Sequence, residues 1–167
     1  MTWTLSKLLV RETSWTGTTT DYAVEVGSDG LSNPYRGDTS TDECLPIVCV
    51  KKTGETVPSW FEPIHNPHRT RGGALRGSWV GGDIGFTKPI LGRSITSLAK
   101  GNQICEDSFG SGFRMGSHHD GSCPPDSGCG GAFTGKLVLL EGQDEIQIRK
   151  KDRFWIYIRD QRANPWS

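Results

Sequence analysis

The four histidines of the chain fall in two pairs, and each pair stands beside acidic side chains. Glu62, His65 and His68 form one set; His118, His119 and Asp120 form the other. Imidazole and carboxylate are donors that a divalent metal accepts, and such an ion needs about four to six of them converging on one point. A metal held by His118, His119 and Asp120, with Arg114 nearby in sequence to stabilise an anion, would describe a metal-dependent hydrolase or lyase. Two features oppose it. His65 and His68 enclose Asn66-Pro67, which works against the helical turn that gives a zinc-protease motif its meaning. His118 and His119 are adjacent, so in extended chain they point apart. Loop histidines, exposed or hydrogen-bonded, are the plainer expectation, and it requires no cofactor.

Nucleophilic chemistry finds less support. Pro125-Asp126-Ser127-Gly128-Cys129-Gly130-Gly131 resembles the Gly-Asp-Ser-Gly-Gly-Pro nucleophile loop of chymotrypsin-like proteases. A nucleophilic serine needs a base and an orienting acid. The chain has no Ala-Ala-His-Cys-like segment, and it is short for a two-barrel protease. Cys49 and Cys105 lie in apolar contexts, which raise a thiol pKa and weaken it as a nucleophile. The glycines of "GGDIGF" lack the lysine and the strand-turn-helix setting of a phosphate loop. No catalytic residue is therefore assigned.

The five cysteines, Cys44, Cys49, Cys105, Cys123 and Cys129, leave at least one thiol free unless chains pair. Cys123 and Cys129 can close the Pro/Gly-bent loop "CPPDSGC" as a disulfide. Cys44 with Cys49 is the other short loop, but Cys49 in the run "LPIVCV" reads as a buried reduced thiol. Arg36-Gly37-Asp38 spells an adhesion tripeptide, a match too short to carry an integrin-type function.

Composition narrows the field. Nineteen Lys and Arg balance nineteen Asp and Glu, whereas a nucleic-acid binder normally carries excess positive charge to neutralise phosphate. No apolar run approaches the roughly 18 residues that span a bilayer, so neither nucleic acid nor membrane insertion is expected. The N-terminal segment has no signal-peptide pattern. The compartment stays open, with a surface or extracellular one favoured if Cys123 and Cys129 are bridged. A chain of 167 residues fits one domain, residues 1–167, with a self-supporting core.

The elements that would position these groups are mostly strands. Residues 2–10 and 21–27 read as strands; in the second, Tyr22, Val24 and Val26 alternate with Ala23 and Glu25. Residues 28–42 are dense in turn formers and read as an irregular connection. Residues 45–51 form a compact apolar run, "GSWVGGDIGFTKPI" suggests two short strands broken at Gly81-Gly82, and residues 136–140 suggest another. The main helix is expected over about 94–109, capped by Ser94 or Thr96, with Ile95, Leu98, Ala99, Asn102, Cys105 and Phe109 on one face and Gly110 ending it. Residues 145–149 and 153–159 read as a closing hairpin. On its second arm Phe154, Ile156 and Ile158 alternate with Trp155, Tyr157 and Arg159, so the aromatic side is either covered by loops or presented to a partner. The expected class is α+β, mostly antiparallel β with one main helix.

The cassette of a helix with a cysteine near its end, then "FGSGFRM", a polar turn and the late strand "RFWIYIRD", resembles the C-type-lectin-like fold and its formylglycine-generating-enzyme-like relatives, over about 65 residues of the second half. The same wording is similar to that of bacterial proteins with no assigned activity. The resemblance implies a loop-presenting β scaffold. Calcium-dependent sugar binding does not carry over: the Glu-Pro-Asn or Gln-Pro-Asp and Trp-Asn-Asp elements are absent, and Arg159-Asp160 and Ala163-Asn164-Pro165-Trp166 only echo them. The family's helix cysteine pairs with one from the final strands, and this chain has none there to meet Cys105.

Taken together, the glycine-rich loops and six tryptophans of a neutral chain suggest a non-catalytic recognition or assembly module. Interfaces favour Trp, Tyr and Arg because these bury large area at modest entropic cost. Trp60, Trp79, Trp155, Tyr157, Arg159, Trp166 and Arg114 are the candidate contacts for a protein or glycan. A homo-oligomeric structural subunit is the third reading beside the metal-dependent enzyme.

Overall fold

The computed structural model describes residues 1–13, 19–56, 58, 79–121, 131–144, 148 and 153–166, without the side chains of 6–13 and 19–21. The chain starts as an antiparallel hairpin of β1 (Thr2–Thr13) and β2 (Thr19–Gly27). It continues through β3 (Cys44–Leu45), β4 (Val48–Lys52), β5 (Trp79–Phe86) and β6 (Ile90–Leu91). A 3-10 turn (Gly92–Ser94) leads to α1 (Leu98–Phe109), followed by β7 (Arg114–Met115), β8 (Ala132–Val138) and β9 (Phe154–Trp155).

Seven strands form one sheet in the order β7-β4-β5-β8-β2-β1-β9. β5 and β8 are parallel and the other neighbours antiparallel, so the sheet is mixed. It curls until its ends meet. Trp155 N–H donates to Pro46 O at 2.8 Å, Tyr157 N–H to Gly116 O at 3.1 Å, and His118 N–H to Tyr157 O at 2.9 Å.

Strand alternation sorts side chains to the two faces of this curl. Inside lie Trp3, Val24, Val26, Val48, Val50, Ile84, Phe86, Phe133, Phe154 and Ile156, in one buried cluster. Outside, Ile47, Cys49, Met115 and Trp155 pack with Ile95, Cys105 and Phe113 beneath α1. The small sheet of β3 and β6 flanks the same side, as Leu45 and Ile90 pack against this second cluster. The described residues are thus β-rich with one main helix, an arrangement compatible with the α+β class.

The helix forms where an apolar stripe meets a cap. Ser97 accepts Lys100 N–H at 3.1 Å, and Gly110 ends the helix at φ 94°, a left-handed value that glycine adopts without penalty. The cap is therefore Ser97, not Ser94 or Thr96; Ser94 closes the preceding 3-10 turn by bonding Leu91 O. Gly101 and Cys105 face the sheet, and Ala99 is exposed. Asn102 holds the helix to β7 by accepting Met115 N–H at 3.0 Å.

Other expectations are corrected. Gly81 and Gly82 do not divide a pair of strands: β5 runs through them. Gly81 takes φ 78°, and a Cβ on Gly82 would lie 2.1 Å from Lys51 O, so these glycines permit a bulge and a close backbone approach within one strand. Pro46 splits the run 45–51 into β3 and β4, because it offers no N–H to a ladder. The second arm of the expected terminal hairpin is paired elsewhere. β9 pairs with β1, and Ile148 is helical, its N–H bonded to Asp144 O; residues 145–147 and 149 lie outside the described residues.

Cys49 is no free thiol. It forms a disulfide with Cys105, Cα to Cα 5.6 Å, which supplies Cys105 with a partner on β4 and excludes a Cys44–Cys49 bridge. Cys44 is exposed and unbridged. The proposed Cys123–Cys129 bridge lies outside the described residues.

Candidate functional site

β7 and the turn after it bring together Arg114, His118, His119 and Asp120. Arg114 grips Asp120 with both guanidinium nitrogens, one at 2.9 Å. Asp120 is buried, accepts Ser117 N–H at 2.6 Å and lies 3.6 Å from Lys52 Nζ. The bond to Asp120 pushes the Arg114 guanidinium above its ordinary pKa, although burial opposes this. His119 Nε2 meets Asp160 Oδ1 at 3.1 Å, and this bond draws the exposed Asp160 carboxyl below its ordinary pKa. The His118 ring stands edge-on both to Trp3, with centroids 5.4 Å apart, and to His119, with centroids 4.9 Å apart. Burial lowers its pKa, the neighbouring His119 adds to this, and Asp160 partly opposes it.

The two imidazoles therefore touch, while His119 is bonded to Asp160 and Asp120 to Arg114. Among the described residues, no three His, Cys, Asp or Glu side chains are grouped to hold a metal ion. The arrangement suits a structural lock: a bidentate Arg–carboxylate pair closes a turn against β7. Glu62, His65, His68, Trp60, Asp126 and Ser127 lie outside the described residues.

The aromatic candidates divide by burial. Trp155 is wholly buried, its indole N–H donating to Ile90 O at 3.2 Å, so its side is covered rather than presented. A Cβ on Gly92 would come within 2.5 Å of this indole, so the covering turn requires glycine there. Trp79 is buried and donates to Glu55 O at 2.7 Å. Tyr157 and Trp166 pack together with ring centroids 6.3 Å apart, both half-buried, while Arg159 is exposed.

Lys51, Asp83 and Lys136 stand side by side across β4, β5 and β8. Burial, with Glu55 adding, raises the Asp83 pKa, and Lys136 and Lys51 oppose this; Lys136 also pairs with Glu55 at 2.5 Å. The row is charge-balanced across the sheet. A groove of about 130 Å³ lies between the segments 86–89 and 140–143. Thr87 and Gln143 in its lining are engaged with backbone: Thr87 Oγ1 takes Ile47 N–H, and Gln143 donates to Phe86 O.

The loop 28–42, read from sequence as a mere connection, presents what those residues do not. Leu31 is 73% exposed and Tyr35 68% exposed, the large hydrophobic side chains left exposed among the described residues. Their backbone is fixed by side-chain acceptors. Asp29 Oδ1 takes the N–H groups of Leu31 and Ser32, each at 3.0 Å. Asn33 Oδ1 takes those of Tyr35 and Arg36 at 3.0 and 2.9 Å. These are Asx turns, in which a short polar side chain replaces a backbone acceptor.

Asp38 is the keystone of the loop and no adhesion residue. Its carboxylate, 2% exposed, receives Thr2 N–H, the Thr2 hydroxyl, Asn33 N–H and the Thr39 hydroxyl. Burial works to raise its pKa, but these donors outweigh it and hold the group below the ordinary carboxylate value. A carboxylate so enclosed is unavailable to an external metal or receptor, so Arg36-Gly37-Asp38 does not act as an adhesion tripeptide. The signal legible in sequence was a pair of large apolar residues set among Asp29, Ser32, Asn33 and Asp38 without strand or helix periodicity.

Comparison with protein-family models, curated proteins and solved structures found no match.

Proposed function

We propose that the chain is a non-catalytic recognition module that engages a protein partner through the loop 28–42. The observation that carries this is the exposure of Leu31 and Tyr35 on one loop, with their own amides already bonded within it. Exposed apolar residues scattered singly are ordinary on protein surfaces; two on a rigid loop form a contact that needs little ordering to bind. Tyr35 is followed by the exposed Arg36, and Tyr and Arg are the types enriched where interfaces concentrate their energy. A protein partner accounts for the aliphatic Leu31 better than a glycan, whose rings stack on aromatic faces.

The C-type-lectin-like architecture belongs to the same proposal. It is supported by a helix with Cys105 near its end, followed by β7 and the late strand β9; the Cys49–Cys105 pairing departs from it. The buried disulfide supports an oxidising compartment. The test is a photo-crosslinking residue at Tyr35, with the same residue at the exposed Lys100 as control. Adducts specific to position 35, lost in a folded Leu31→Ser background, are expected. Equal adducts at both positions would sink the reading, and an adduct of twice the chain's mass would identify a second copy as the partner.

A further inference from the structure

The loop 28–42 is held by a residue from the far end of the chain. Arg153 sends one nitrogen to Asp29 Oδ2 at 3.0 Å and another to Asp29 Oδ1 at 3.2 Å and Ser32 Oγ at 3.2 Å. Its Nε donates to the Thr2 hydroxyl. That hydroxyl donates in turn to Asp38 at 2.6 Å, while Ser32 donates to Thr2 O at 2.8 Å. Arg153 thereby touches the Asp29 turn directly and the Asp38 turn through Thr2. Its side chain is 16% exposed, so water competes weakly for these donors.

We propose that Arg153 is the positioning residue of the recognition loop: its guanidinium ties the Asp29 turn to Thr2 and Asp38 and so fixes the conformation that displays Leu31 and Tyr35. This rests on the reading of the loop as the recognition surface. A planar fork can join two carboxylate oxygens and two hydroxyls at once, which the single ammonium of a lysine cannot reproduce. The consequence is pre-organisation: a loop already in its binding conformation loses less entropy when a partner docks. Thr2 and Asp38 add a second tie, so the loop should loosen locally and the sheet should remain.

Arg153→Gln, Arg153→Lys and Asp29→Asn test this in the full chain by amide hydrogen exchange. Asp29→Asn removes the ion pair while keeping an acceptor for the Leu31 and Ser32 amides, and it stands in should Arg153→Gln fail to fold. Charge-assisted bonds of this kind correspond to about tenfold to a hundredfold in an opening equilibrium. Exchange at Leu31, Ser32 and Asn33 should rise by about tenfold or more in Arg153→Gln and Asp29→Asn, and by less in Arg153→Lys. Exchange at Val50 and Ile84 should not change, and crosslinking from position 35 should fall. Unchanged loop exchange overturns the proposal, as does an equal rise in the loop and in β4 and β5, which would make Arg153 a contributor to global stability only. If loop exchange rises while the parent chain forms no adduct at position 35, the recognition reading falls and the frame stands.

Discussion

Replacing both Cys49 and Cys105 by alanine should lower stability throughout the fold without detaching the helix. The bridge joins residues 56 positions apart, and in the chain-entropy model closing a loop of that length restrains the unfolded state by about 4 kcal/mol. With a urea slope of about 2 kcal/mol/M, the unfolding midpoint should fall by about 2 M. The buried indoles of Trp3 and Trp155 make intrinsic fluorescence a suitable probe. Helix α1 should stay docked because other contacts hold it: Asn102 accepts Met115 N–H, and a Cβ on Gly101 would come within 2.6 Å of Met115 Sδ. Far-ultraviolet circular dichroism in water should therefore match the parent, and the parent under reductant should match the variant. A midpoint shift below about 0.5 M, or a non-reducing peptide map without a Cys49–Cys105 fragment, would refute the argument.

Two further perturbations concern the turn after β7. His118 has a folded pKa below its ordinary value of 6.5, so the native state binds fewer protons than the unfolded one as pH falls. Its contribution is present in full above about pH 6.5 and is lost as pH drops through the folded pKa. His118→Gln should flatten the stability profile in that window, and identical slopes for parent and variant would exclude His118 as the source. Asp120→Asn keeps an acceptor for Ser117 N–H but removes the charge that Arg114 grips. Because Arg114 is 36% exposed and can partly rehydrate, the cost should be about 2 kcal/mol, read as a urea midpoint lowered by about 1 M. A midpoint equal to the parent's would mean that water replaces the pair at no cost.

Local patterns carried well from sequence to fold where one short segment decides the outcome. The alternation of Phe154, Ile156 and Ile158 with Trp155 and Tyr157 does place the first set inside the sheet and the second outside it. The stop at Gly110 holds for the same reason, since its φ of 94° is a property of that residue. Pairings across long separations were hidden. Nothing near Phe154 indicates that its partner is Trp3 rather than the segment 145–149, and nothing near Cys49 indicates Cys105. The first follows from the sheet curling until β9 reaches β1, a closure that appears only when all seven strands are assembled, and the second from α1 packing over β4.

The candidate site was harder to read because residue chemistry and residue availability are different properties. His119, Asp120 and Arg114 are reactive types at close spacing, yet each is already engaged: Arg114 and Asp120 with one another, and His119 with Asp160, 41 residues away. The loop 28–42 has the opposite character. Asp29, Ser32, Asn33 and Asp38 are bonded to one another, to Thr2 or to the loop backbone, and Leu31 and Tyr35 are left exposed. A module that binds through such a loop needs only a fixed apolar contact and a frame to hold it. Arg153, Thr2, Asp29 and Asp38 supply that frame from three separate parts of the chain, which is why the loop reads in isolation as an irregular connection.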